Sequence, residues 1–322
     1  MSMALPPSKP EAPKTASVAA GPARRWTNRP LVSAILRDKT ALVATLVLAI
    51  LLVAAAFPGF FAPYQVFDLR QISLMNAFQP PVWIEGGSWR YPLGTDDQGR
   101  DILSAIIYGL RVSLTVGLGG VALAVVIGVT VGLIAGFTGG IVDAFLMRVA
   151  DVQLTFPAIL IAVMIDGVSR AILGDTARAE AAVIVLIIAV GLSGWVEYAR
   201  AVRGAAMVER RRDYVAAARL SGVGSAGIML RHILPNVLTA VMVIGTIHLG
   251  VAILIEATLS FVGLGIPPTQ PSLGTLIRVG NNYLLSGEWW IAILPGVALL
   301  ILVLAINLLG DFLRDALNPR LR

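Results

Sequence analysis

The sequence predicts an all-α polytopic membrane protein with six transmembrane helices and one structured cytoplasmic loop. Three observations lead there. The 322-residue chain is 57% apolar and 14% charged, with a mean hydropathy of +0.82, whereas a soluble domain carries about 25% charged residues. The apolar residues gather into six runs, near 41–62, 112–137, 142–165, 181–199, 237–262 and 291–310. Each approaches the roughly 20 residues a helix needs to cross a bilayer, and none alternates like a membrane β-strand. With a cytoplasmic N-terminus, 17 of the 25 Lys and Arg fall in the inner segments 1–40, 138–143, 200–236 and 311–322. Seven fall in the outer segments 63–111, 166–180 and 263–290, and Arg148 lies within the third run. This is the orientation of the positive-inside rule, with both termini cytoplasmic.

Residues 1–30 contain six prolines and no apolar run, and 1–40 reads as a disordered cytoplasmic tail. The first run, 41–62, starts too far along to be a cleavable signal and reads as an uncleaved anchor. Arg24, Arg25, Arg29, Arg37 and Lys39 precede it.

The outer segment 63–111 holds Pro80-Pro81, Trp83, Trp89 and Tyr91, then PLGTDDQGRDILSAIIYGLR. Thr95 suits an N-cap, with acids following in the first turn. Ile102, Leu103, Ile106, Ile107 and Leu110 share a helical face, which predicts an amphipathic helix lying at the outer surface. Asp96, Asp97 and Asp101 lack the spacing of a calcium loop, so no metal site is assigned.

Residues 112–310 form the five-helix core. On the second span Gly128, Gly132 and Gly136 make a ridge of small residues that lets another helix approach closely. The third run carries Arg148 and Asp151 in its interior. In the fifth span Glu256 is an ionisable group in apolar surroundings, which marks either a pathway or a buried structural partner. His248, eight residues earlier, projects about 80° away around the helix, so the two border one cavity or serve separate structural roles. Trp289 and Trp290 open the sixth run, where indole rings settle at the outer interface.

The loop 200–236 contains RRRDYVAAARLSGVGSAGIMLRHILPN at 210–236. Tyr214 to Ser221 spans two helical turns, kept slim by Ala216, Ala217 and Ala218. Gly222 terminates it as a helix-ending glycine does. Ser225 caps a second short helix with Ile228, Met229 and Ile233 as apolar positions, and Pro235 closes it before the fifth span. A slim, alanine-faced helix outside the membrane suits a groove on a partner protein. Arg210, Arg211 and Arg212 read as topology markers in contact with anionic lipid, so the net charge of +6 does not point to nucleic acid.

Absent motifs narrow the function. No lysine follows Lys39, so the chain has no Walker A phosphate loop. It has no cysteine and only two histidines, His232 and His248, and no hydrolase nucleophile motif. A self-contained enzyme is not indicated.

The loop resembles the "EAA" loop of binding-protein-dependent ABC importer permeases: Glu-Ala-Ala, three residues, Gly, and a Leu-Pro thirteen residues on. Ala217, Ala218, Gly222, Leu234 and Pro235 match, whereas the glutamate position holds Ala216. PLGTDDQGRDILSAIIYGLRVSL at 92–114, the series from Gly139 to Pro157, ATLSFVGLGIPP at 257–268 and NLLGDFLRDALNPRLR at 307–322 are similar to the C-type permease subunit of dipeptide and oligopeptide importers. Nickel importers of the same superfamily share much of the pattern.

The resemblance implies a MetI-like permease core in the bacterial inner membrane. Its partners would be a second, B-type permease, two cytoplasmic ATPases and an outer substrate-binding protein. The chain would bind no cofactor, with ATP and magnesium held by the ATPases. Residues 214–222 would be the coupling helix, docked through Tyr214, Ala216, Ala217, Ala218, Arg219 and Gly222. The rival reading, a proton-linked secondary transporter built on Glu256 and His248, calls for inverted repeats, and none is visible.

Overall fold

The computed structural model describes residues 31–66, 73–270 and 272–317, which form helices and irregular loops with no strand among the described residues. Of the expected disordered tail 1–40, residues 31–37 and 39–40 are helical instead, while 1–30, like 318–322 at the end of the chain, lie outside the described residues. Among the described residues five helices are long and apolar enough to cross a membrane, six if the bent pair Gly140–Leu154 and Ala158–Leu173 counts as one span.

Helix α1 (Leu31–Arg37) precedes α2 (Lys39–Ala56), and α3 is the single turn Pro58–Phe61. Asp38 caps α2, accepting from the amides of Thr40 at 2.9 Å and Ala41 at 3.1 Å. Leu46, Ile50 and Val53 on α2 are exposed, as lipid-facing residues are. The helix rests one side on α4 and α11.

Helix α4 runs unbroken from Ile102 to Thr138, 37 residues. The separate amphipathic surface helix expected before the second span is therefore the first part of the span itself. Its cap is Asp101, not Thr95: the Asp101 carboxylate accepts from the Ser104 amide at 2.8 Å and the Ser104 hydroxyl at 2.6 Å. The apolar face of Ile102, Ile106 and Leu110 is buried in a cluster with Leu273, Leu276, Trp290 and Ile291, so it packs into the protein instead of lying on a membrane surface.

The third run is not one straight helix but a bent pair. Helix α5 (Gly140–Leu154) meets α6 (Ala158–Glu209) at Thr155-Phe156-Pro157, and the Ala158–Leu173 part of α6 turns 89° from α5. Proline disfavours helical geometry at the residue before it and cannot donate to the preceding turn. The stretch 166–180, expected as an outer connection, is helical within α6.

Helices α4 and α6 share the most extensive contact in the protein, made possible by the glycine ridge. A Cβ on Gly128 would lie 2.5 Å from the carbonyl oxygen of Trp195, and one on Gly136 2.6 Å from that of Arg203. One on Gly132 would collide with the carbonyl oxygen of Ala199. At these three glycines the two helix backbones approach closely, with no room for a side chain.

After α7 (Asp213–Leu220) the chain turns into α8 (Ser225–Gly227), which runs through a π-helical turn, Ile228–Ile233, straight into α9 (Leu234–Val262). Ser225 is the first residue of α8 and makes no cap bond; Gly224 holds the cap position. Pro235 does not separate a short helix from the span. It sits in the first turn of α9, where its missing N–H is tolerated, and the wider π turn just upstream relieves its clash with the preceding carbonyls. The Leu234 amide reaches back to the Met229 carbonyl, and the Asn236 amide side chain takes up the His232 carbonyl at 3.1 Å.

Helix α9 closes at Gly263 (φ 88°), with the Leu264 amide bonded to the Leu259 carbonyl at 2.9 Å, a glycine-terminated helix end. Helices α10 (Leu273–Asn281) and α11 (Trp290–Leu317) complete the chain.

Candidate functional site

The elbow between α6 and α9 is built on α4. Arg210, directly after α6, donates through Nη1 to the carbonyl oxygens of Gly136 and Phe137. The α7 residue Arg219 stands over the Phe137 ring, 5.6 Å from its centroid, a cation–π contact. Val215 and Ala218 point into the body and pack with Ile228, Ile233 and Val237. Ala218, expected among the docking residues, therefore faces inward. Asp213, Ala216, Ala217 and Leu220 form the opposite, exposed face, and Leu220 is 91% exposed.

Tyr214 donates to Glu209 Oε2 at 2.6 Å and accepts from Asn236 Nδ2 at 3.1 Å, tying α7 to the ends of α6 and α9. Burial pushes its phenol above the ordinary value, with the bond to Glu209 adding to the effect. Gly222 takes φ 78° with nothing within 4 Å of a built Cβ. The amides of Gly222 and Val223 bond the carbonyls of Arg219 and Ala218. Only the left-handed backbone requires glycine there.

Two ion pairs fix α5 against α6. Arg203 grips Asp143 through Nε and Nη2, the latter at 2.7 Å from Oδ2, a two-pronged guanidinium–carboxylate contact. Arg200 Nη2 lies 2.6 Å from Asp151 Oδ1. Gln153 accepts from Trp195 Nε1 at 2.6 Å. The acids of the Gly139–Pro157 series thus hold the bent half-span.

Glu256 and His248 do not face one space. Glu256 is wholly buried, accepts from Ser260 Oγ at 2.8 Å, and has Ser113 and Ser272 beside its carboxyl. Ser260 Oγ in turn accepts from the Ile266 amide at 3.4 Å, so the glutamate supports the turn after α9 through that serine. His248 Nδ1 lies 3.0 Å from Tyr198 Oη, and the two rings meet edge to face. Gly194 makes room for the imidazole, because a Cβ there would collide with its Cε1.

The segment before α4 is a folded cap. Thr95 is buried, accepting from the Gln79 amide at 2.8 Å and donating to the Asn76 carbonyl at 2.5 Å. Arg100 pairs with Asp96 at 2.6 Å, both buried. Trp290 donates from Nε1 to the Thr95 carbonyl at 3.2 Å, so this indole serves as a buried anchor; Trp289 stays partly exposed. Burial pushes the Asp101 carboxyl up, and burial followed by the neighbouring Asp96 charge does the same to Asp97. Among the described residues no group of three or more His, Asp or Glu side chains is placed to hold a metal.

Sequence reasoning missed Arg210, which stands in a run of three arginines whose charge alone suggested topology, and Phe137, one apolar residue among many. Gly139-Gly140, both with positive φ, was the available signal that α4 ends beside Arg210.

Residues 128–322 match the family described as "Binding-protein-dependent transport system inner membrane component". The chain is 39% identical over 285 residues to the di/tripeptide transport system permease protein DppC of Pseudomonas aeruginosa, covering 88% of this chain and 89% of that one. It is 40% identical to the dipeptide transport system permease protein DppC of Escherichia coli K12, covering 89% and 91%. A putative peptide transport system permease protein of Brucella suis is 41% identical, covering 78% of each chain. Among solved structures, an inward-facing MetNI methionine ABC transporter superposes with a TM-score of 0.52 at 22% identity, covering 67% of this chain and 98% of that one, which is a likeness of fold. The chain belongs to the binding-protein-dependent transport system inner membrane components, the inner-membrane permeases of ABC importers.

Proposed function

We propose that this permease forms half of the translocation pathway for di- or oligopeptides, paired with a second, B-type permease. Two cytoplasmic ATPases would supply the energy and hold ATP and magnesium, and an outer binding protein would deliver the peptide. Both termini and the 200–236 loop lie on the cytoplasmic side. The observation that carries the coupling role is α7 itself: its Asp213, Ala216, Ala217 and Leu220 face is exposed, while Arg219 and Arg210 lean on Phe137 at the end of α4.

ATPase closure would press α7, and the load would pass into α4, a rigid-body transition. With Ala216 where the family pattern has glutamate, docking rests on shape. The peptide cargo is supported by the relatives' names. Ala217→Trp tests the reading: a bulky ring on the slim face is expected to lower ATP-dependent peptide uptake in proteoliposomes more than tenfold and weaken ATPase co-purification. Unchanged uptake and assembly in that variant would overturn it, as would a wild-type complex that imports no peptide.

A further inference from the structure

A cleft of about 450 Å3 opens between the N-terminal part of α4 and the loop before α10, lined by Tyr108, Arg111, Val112, Thr269 and Gln270. That volume lies in the range of small-molecule sites. Arg111, Thr269 and Gln270 can each donate hydrogen bonds, and among the described residues no carboxylate lines the cleft. Arg111 is exposed, and its guanidinium has no ion-pair or hydrogen-bond partner among the described residues. It stands nine positions into a helix that goes on to cross the membrane, where an unpaired cation marks a water-filled route or a ligand.

The facing wall is braced. Arg100, held by Asp96, reaches from the outer cap to donate to the Pro268 carbonyl at 3.3 Å. The Gln270 amide closes a turn onto the Pro267 carbonyl at 3.0 Å. Beyond the loop the Leu273 amide donates to Ser113 Oγ at 3.3 Å, joining α10 to α4. The two walls therefore hold their spacing without a ligand, which lowers the ordering cost of binding.

We infer that Arg111, with Thr269 and Gln270, forms a subsite for the C-terminal carboxylate of a peptide entering the pathway. A guanidinium fork matches a carboxylate in two parallel hydrogen bonds, and the neighbouring hydroxyl and amide donors fill the remaining lone pairs. The inference rests on the peptide-importer reading.

The chain has no cysteine, so Thr269→Cys places a single thiol in the cleft. The complete importer with its binding protein, in proteoliposomes, is treated from outside with a membrane-impermeant thiol reagent. A dipeptide with a free C-terminus is expected to slow labelling of this chain several-fold. The same dipeptide amidated at its C-terminus should protect about tenfold less well, and Arg111→Gln in the same background should abolish the difference while Arg111→Lys keeps part of it.

Equal protection by both peptides, no protection, or protection indifferent to Arg111→Gln would overturn the subsite. A labelling rate set by the anionic lipid content of the vesicles would reassign the cleft to headgroups. A thiol that reacts only after the subunits are separated would make it a permease–permease contact. Each of these can occur with ATP-driven peptide uptake intact, which separates failure of the subsite from failure of the importer reading.

Discussion

Arg210 donates to the Phe137 carbonyl at 3.0 Å, so the residue that follows α6 closes the open end of α4. The last carbonyls of a helix lack intrahelical donors and carry partial negative charge, and a guanidinium answers both. Arg219 reaches the same Phe137 from α7. The end of α4 is thereby the point where α7 and the transmembrane body meet.

Removing that closure should loosen transmission more than folding. A hydrogen bond to a charged group contributes about 1.5–3 kcal/mol, less at this half-buried position. Arg210→Ala is expected to retain most ATPase activity while peptide imported per ATP falls several-fold, with Arg210→Lys intermediate. Proteoliposomes with simultaneous uptake and phosphate-release readings check this, and an unchanged ratio would remove Arg210 from the coupling route.

At Gly222 the constraint is backbone conformation, since a Cβ meets open space. Asparagine tolerates positive φ and a β-branched residue does not. Gly222→Asn should leave uptake near wild type, and Gly222→Val should reduce it, with a cost of about 1–2 kcal/mol at the turn. Equal loss in both variants would shift the explanation to a steric need at the ATPase surface.

Along the α4–α6 seam, alanine at Gly128, Gly132 or Gly136 should push the helices apart. Overpacking typically costs about 1–3 kcal/mol. Thermal aggregation of the purified complex should begin at lower temperature for each variant. Gly204→Ala, where nothing lies within 4 Å, is the matched control, and a control that suffers equally would refute the seam argument.

Glu256 serves buried serines, so shape and hydrogen bonding should matter more than charge. Glu256→Gln is expected to keep uptake. Glu256→Ala, which strands those hydroxyls, should destabilise the protein by about 2–4 kcal/mol. Loss of uptake in a well-folded Glu256→Gln protein would show that the carboxylate charge itself is needed and overturn the structural reading.

The outer cap should respond to pH through Asp101. Burial raises its carboxyl above the ordinary range, so the folded cap holds a proton more tightly than the unfolded segment does. Its stabilising contribution is complete below the ordinary carboxylate pKa, about 3.9, and disappears as pH rises through the raised folded value. Hydrogen exchange of residues 73–101 should therefore slow as pH falls from neutral toward 4, after correction for intrinsic rates. Asp101→Asn keeps a good N-cap residue and should flatten that dependence; an equally steep profile in the variant would reject the assignment.

The apolar runs, the bias of arginine and lysine, the glycine ridge and the slim helix ending at Gly222 were legible in the sequence because each is local. A helix in lipid satisfies its own backbone, and three glycines four apart share a face whatever they touch. What the sequence left open were choices between groups of equal local merit. Thr95 and Asp101 can each cap a helix; the Thr95 hydroxyl is taken by the Gln79 amide and the Asn76 carbonyl, and Asp101 is left to open α4. Glu256 and His248 are neighbours on a helical wheel, yet serines on α4 and α9 claim one and Tyr198 of α6 claims the other. Arg210, Arg211 and Arg212 are chemically identical. Only packing brings the first within 3.0 Å of the Phe137 carbonyl, because a hydrogen bond depends on where two distant segments meet, and residue type does not specify that.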